Sequence, residues 1–215
     1  MSRLLPYLGA LRDRYGLPSS AEQGAPFEPF VRAILAPGAS ARSLEKAIRT
    51  LKIYGLLDLG RIRELDPDTI AMAIKPAGSA HAKAHRLKTF VAWFVDRFGA
   101  DEERLKALAP SQLRDELLEI GGIGPETADL LLLVGLGLPS AAVDTYTYRV
   151  LTRHEFAVED VGYDDLKDLV EKNLPRDRET LVRFRLLIDR VGREYCRPKA
   201  RCEGCPLQPY LPSGK

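Results

Sequence analysis

The sequence predicts an all-α fold, and three observations carry that reading. Apolar residues recur at helical spacing through almost the whole chain, and no segment shows the strict alternation of a half-buried strand. Short acceptor side chains and prolines sit where helices should start. Glycines fall between the periodic segments, where a C-terminal cap belongs.

Taken in order, the periodic segments place helices near 2–15, 27–36, 40–54, 58–65, 67–73, 79–98, 101–108, 110–119, 125–136, 144–153, 163–172 and 177–195. Ser40 opens one of them, with Ser43 and Glu45 in its first turns. Asp66-Pro67 and Ala109-Pro110 put proline at or near the first helical position, and Asp101 leads Glu102-Glu103. Gly55, Gly60, Gly99 and Gly162 are the expected C-terminal stops. No repeat of solenoid period and no low-complexity tract interrupts the pattern.

Composition narrows the class. A chain of 215 residues with 45% hydrophobic and 29% charged residues can bury a real core, as one large or two small domains. No apolar run reaches the ~20 residues that a membrane span needs. The greasiest stretch, Leu130 to Leu138, is broken by Gly135 and Gly137. Met-Ser-Arg-Leu-Leu-Pro at the N-terminus lacks a long apolar signal core, so a cytoplasmic monomer without membrane contact is expected. A net charge of only +2 does not by itself announce a nucleic-acid partner. Arginines nonetheless crowd the C-terminal quarter at 178, 183, 185, 190, 193, 197 and 201.

The most specific local signal is Leu118-Glu-Ile-Gly121-Gly122-Ile123-Gly124-Pro125-Glu126-Thr127. An apolar helix end runs into glycines, and a second apolar helix starts at once with Pro125. Such a hairpin is too tight for side chains and bares backbone N–H groups at a helix start, an arrangement suited to a phosphate. Downstream, Val143-Asp144-Thr145-Tyr146 poises an acid at another helix start. As an N-cap it needs no chemistry, yet N–H groups and the helix dipole also stabilise a carboxylate there. Cys196, Cys202 and Cys205 close the chain at Cys-x5-Cys-x2-Cys spacing, which in an intracellular protein favours metal over a disulfide. Trp93 lies at helical spacing from Phe90 and Phe94 and reads as core. No nucleophile-elbow motif supports a Ser/His/Asp hydrolase.

The hairpin paired with the downstream Asp144 resembles the helix-hairpin-helix DNA glycosylases of the endonuclease III superfamily. Pro26-Phe27-Glu28-Pro29-Phe30 through Leu35 looks like that family's first barrel helix, and Lys83-Ala84-His85-Arg86-Leu87 like its basic mid-barrel helix. Within the superfamily the chain is similar to the endonuclease III-related subgroup that includes a 3-methyladenine glycosylase. The resemblance implies two helical domains with a cleft between them. One, 27–135, is a six-helix barrel ending in the hairpin, and 1–26 with 136–215 form the other. It implies double-stranded DNA with a damaged base as partner, with Gly122, Ile123, Gly124, Thr127, Lys83 and Arg86 at the DNA. Asp144 would be the catalytic carboxylate, activating water or stabilising the oxocarbenium-like charge on the sugar.

The chain departs from the family's pattern at two places. The bifunctional members carry a lysine two residues after the second hairpin glycine, and its amine attacks the sugar. Here that position is Glu126, which cannot form an imine but could take a second catalytic part. The cysteine loop resembles the family's 4Fe-4S loop, but a fourth cysteine is missing where Leu211 stands. A cluster with an open or non-cysteine fourth site, a zinc ion and a metal-free vestige all stay open. Where relatives fill the gap left by a flipped base, this chain reads Pro37-Gly-Ala-Ser40 and Gly78-Ser-Ala80. The expected activity is a monofunctional glycosylase acting first on alkylated bases. The rivals are a non-catalytic lesion-binding protein, and a glycosylase/lyase for oxidised pyrimidines using an amine such as Lys83 or Lys88.

Overall fold

The computed structural model describes residues 3–17 and 25–212. Among them the chain forms helices and no strands. In order they are α1 (Leu5–Tyr15), α2 (Glu28–Leu35), α3 (Ala41–Ile53), α4 (Leu59–Glu64), α5 (Pro67–Ile74), α6 (Ala80–Phe98), α7 (Glu102–Lys106), α8 (Pro110–Leu118), α9 (Pro125–Leu130), α10 (Thr145–Arg153), α11 (Tyr163–Asn173) and α12 (Arg178–Glu194). Short 3-10 turns lie at Lys75–Ala77 and Gln208–Tyr210, and a π turn at Leu131–Gly135.

Helix starts are set by side-chain caps. Ser40, Asp58, Asp66, Asp101, Asp144 and Asp177 each accept a hydrogen bond from a backbone N–H of the turn that follows. Each cap stabilises its helix by about 1 kcal/mol. Gly99 ends α6 in the left-handed conformation, as expected of a C-terminal glycine. Two of the expected stops are corrected. Gly60 lies inside α4, whose start Asp58 fixes, and Gly162 is the extended N-cap of α11. The single helix expected over 125–136 also divides, into α9 and the π turn. A Cβ on Gly135 would stand 2.9 Å from Phe30 Cδ1, so the widened turn is packed directly against the Phe30 ring.

The chain divides into two compact units, Gln23–Leu138 and Met1–Glu22 with Pro139–Lys215. The first holds α2 to α9, organised around α6, with α5 and the π turn of α9 as the main packing partners of α6 and α2. Its centre is aromatic: Phe30 stacks on Phe90 at 5.6 Å and on Phe27 at 5.7 Å, and Phe94 joins from one turn further along α6. Trp93 is half-buried at the edge of this cluster, edge-on to Phe98. The second unit packs α10 and α1 on α12. Gly192 is what lets α10 approach, because a Cβ there would meet Tyr146 Cδ1 at 2.6 Å. No helix of the described residues is long and apolar enough to cross a membrane.

Candidate functional site

The hairpin is fixed from below. Ile120 and Ile123 are buried and pin both sides of the turn, while Gly121, Gly122 and Gly124 face solvent. Arg114 of α8 grips Asp129 of α9 with two parallel bonds of 3.1 and 3.2 Å, and Asp129 is 0% exposed. A bidentate pair in that setting fixes the angle between the two hairpin helices. Thr89 Oγ1 lies 3.2 Å from the Gly121 carbonyl and ties the turn to α6.

The two glycines of the turn differ. Gly122 has φ +85, a conformation that a side chain strains. Gly124 is extended, and a Cβ there would meet nothing within 4 Å. Nothing beyond the adjacent residues crowds that position.

Of the other residues expected at the DNA, Thr127 and Ile123 are buried beneath the hairpin. Lys83 is also buried: it is 3% exposed, and Nζ donates to the Leu35 and Ala77 carbonyls, both at 2.8 Å. Those carbonyls sit at the end of α2 and in the 3-10 turn before α6. The ammonium therefore ties together the segments that lead to Pro37-Gly38-Ala39 and Gly78-Ser79. Burial pushes the amine down to about 8, Arg86 pushes in the same direction, and the Glu126 carboxylate opposes both. Arg86 is half-buried, with Nε next to the place where a Gly122 side chain would stand. Its guanidinium is also lowered by burial and supported by Glu126. Glu126 thus shares its surroundings with the buried Lys83 and the half-buried Arg86, a setting for an acid that its sequence position does not show.

In the other unit, Asp144 caps α10. Its Oδ1 accepts from Tyr146 N at 3.0 Å, Thr147 N at 2.8 Å and Thr147 Oγ1 at 2.9 Å. Oδ2 lies 3.9 Å from Arg185 Nη2, beyond hydrogen-bond length. One oxygen therefore holds the helix, and the other faces Arg185 at ion-pair distance. The extended approach to Asp144 is held by residues that sequence reasoning missed. Ala141 N donates to Glu171 Oε1 at 2.9 Å, and Val143 N to the Tyr163 hydroxyl at 3.4 Å. Burial raises the Glu171 carboxyl, but the Ala141 amide, Lys167 and Arg176 outweigh it and hold it below the usual range. The available signal was an acid beside the buried Leu166 and Val170 of α11.

Cys196, Cys202 and Cys205 are free thiols that line one pocket. Leu211, at the position of the expected fourth cysteine, lines the same pocket. Burial and the charges of Cys196 and Cys202 push the Cys205 thiol up. Among the described residues no three His, Cys, Asp or Glu side chains gather tightly enough to hold a single metal ion. The loop is held by α10: Arg153 Nη1 donates to Cys196 Sγ at 3.3 Å and to the Arg197 carbonyl at 2.6 Å, and Arg149 Nη1 to the Cys196 carbonyl at 3.0 Å.

This chain is similar to known proteins over nearly its whole length. A Methanocaldococcus jannaschii protein that bears the name of a DNA repair glycosylase is 38% identical over 201 residues, 93% of this chain and 91% of that one. Endonuclease III of Thermotoga maritima is 26% identical over 198 residues, 89% and 84% of the two chains. Among solved structures, endonuclease III trapped as a covalent intermediate with DNA superposes with a TM-score of 0.75, at 21% identity over 96% of this chain and 93% of that one. H. pylori 3-methyladenine DNA glycosylase bound to 1,N6-ethenoadenine gives 0.71, at 21% identity over 87% and 96%. No family model matches.

Proposed function

The chain belongs to the endonuclease III-like DNA glycosylases, and from that premise we propose that it excises a damaged base by hydrolysis and leaves the strand uncut. It is a base-excision repair enzyme that breaks N-glycosidic bonds in DNA. In the proposed step the bond between C1′ and the base nitrogen breaks, and its electron pair leaves with the base. Water supplies the oxygen that bonds to C1′, and its proton goes to the base or to solvent. The sugar passes through an oxocarbenium-like cation, and Asp144 Oδ2 is the charge that stabilises it.

The observation that carries this reading is the division of labour within Asp144. Oδ1 takes three hydrogen bonds from α10 and fixes the carboxylate, so Oδ2 is presented with little freedom. Glu126 supports the monofunctional half, because the residue at the lyase position has no amine. Lys83 does not replace it as a nucleophile, since its amine is buried and held by two carbonyls.

Hairpin N–H groups, with Gly124 open to an approaching phosphate, suit a contact that positions a duplex without reading its sequence. Alkylated purines are the proposed substrates. A cationic base already leaves readily, so a single carboxylate without a lysine nucleophile suffices. Flipping costs a few kcal/mol and least for damaged or mispaired bases, which adds selectivity.

A 4Fe-4S cluster is typical of the family, and the cysteine loop fits the thiolate side of one. A zinc ion draws its donors around one point at ~2.3 Å, whereas a cluster spreads its thiolates over separate irons. Three thiols at Cys-x5-Cys-x2-Cys spacing that line one pocket support the cluster. Cys196, Cys202 and Cys205 would hold it, and no cysteine serves the fourth iron because Leu211 occupies that wall. The cluster would brace the loop that α10 grips, and this chain's own residues perform the excision.

Duplexes that each carry a single lesion test the reading. The parent protein should release an alkylated purine and give strand breaks only after alkali. Binding of every lesion with no excision would make it a lesion-binding protein instead.

A further inference from the structure

Resting on the cluster reading, we propose that Arg153 sets the reduction potential of the 4Fe-4S cluster and guards it against losing an electron. Arg153 is half-buried and is the last residue of α10. Nη1 donates to the Arg197 carbonyl at 2.6 Å and Nη2 to the Pro198 carbonyl at 2.7 Å. Those bonds fix the guanidinium, and the same Nη1 donates to Cys196 Sγ at 3.3 Å. The three thiols thus differ in what they face. Cys205 meets the neutral backbone N–H groups of Leu207 and Gln208, Cys202 is exposed, and Cys196 meets a full positive charge. The plainer alternative is a clamp that holds the loop by its backbone. Arg149 is such a clamp, donating to the Cys196 carbonyl at 3.0 Å. Arg153 does more, because it reaches the sulfur as well as two carbonyls.

Electrostatics turn that bond into a function. Cysteine ligates iron as the thiolate, and hydrogen bonds to the sulfurs are among the terms that set a cluster's potential. A donor at a cluster sulfur, a cationic donor most of all, stabilises the state with one more electron. Reduction moves one electron onto the cluster and neither forms nor breaks a covalent bond, so the guanidinium raises the potential of that couple. For the same reason it opposes oxidation by dioxygen, which takes one electron from the cluster and becomes superoxide. Such protection matters more in this chain than in a four-cysteine one. With three cysteines in the sequence, no cysteine thiolate retains the fourth iron once the cluster is oxidised.

Mediated electrochemical titration of the loaded protein tests this. The parent, Arg153→Gln, Arg153→Lys and Arg149→Gln are prepared without oxygen and titrated under the same conditions. Arg153→Gln should favour the oxidised cluster by about tenfold, typical for losing a hydrogen-bonded charge, which is a fall of ~59 mV for one electron. Arg153→Lys keeps the charge and loses the fork, so its potential should fall by a smaller factor. Arg149→Gln loses a bond to the loop's backbone and none to sulfur. Its potential should move several-fold less than that of Arg153→Gln, even if it melts lower. In air, Arg153→Gln should bleach faster than the parent. If Arg153→Gln holds no cluster, Arg153→Lys carries the test in its place. A potential in either Arg153 variant equal to the parent's, or a fall in Arg149→Gln as large as in Arg153→Gln, would overturn the proposal and leave a clamp, with the cluster reading still standing. A parent protein that assembles no iron–sulfur cluster would overturn the cluster reading first and this proposal with it.

Discussion

At the scale of single residues, the hairpin separates two reasons for a glycine. Gly122 needs its backbone conformation, so Gly122→Ala should cost ~1 kcal/mol or more of folding stability as well as DNA affinity. Gly124 is extended and open, so Gly124→Ala should melt with the parent yet bind every duplex more weakly. The slope of its affinity against salt should flatten by ~1 for each phosphate that the hairpin no longer holds. Thermal melts and salt-titrated binding check both variants, and unchanged affinity and slope for Gly124→Ala would take the hairpin out of the interface. The glycine pattern itself was legible in the sequence, because tight turns leave local marks. The fate of Lys83 was not. A lysine in a basic stretch reads as a surface contact, and only the tertiary fold brings the Leu35 carbonyl, 48 positions away, to its amine. Glu171 was hidden for the same reason, since its partner Ala141 lies thirty positions away.

At the scale of elements, helix boundaries were legible to within a residue or two wherever a side chain caps the first turn. The π turn at Leu131–Gly135 was not, because a glycine at 135 reads as a helix end and only the fold brings the Phe30 ring against it. In the proposed mechanism the central element is α10. Its first residue follows the Asp144 cap, and its later turns carry Arg149 and Arg153, which grip the cysteine loop. A disturbance of the loop should therefore reach Asp144 through one helix. Protein purified without oxygen should contain iron and sulfide. Cys202→Ser should lose both, melt at a lower temperature and excise more slowly while binding DNA through an unchanged hairpin. Iron-free protein with a full complement of zinc would contradict the cluster.

At the scale of the whole molecule, the fold class and family were written in the chain as a whole: caps, periodicity, one glycine hairpin and an acid at a helix start. The lesion was not, because Pro37 to Ser40 and Gly78 to Ala80, where the resemblance places the filler of the flipped base's gap, carry no recognisable reader. The central claim is that Asp144 drives hydrolysis and that no amine of this protein attacks the sugar. Single-turnover excision in the presence of borohydride tests it most directly. The parent should release the base with no protein–DNA adduct, and Asp144→Asn should slow release by ~10²–10³ while still binding the duplex. Efficient trapping of an adduct, or an Asp144→Asn variant as fast as the parent, would contradict it.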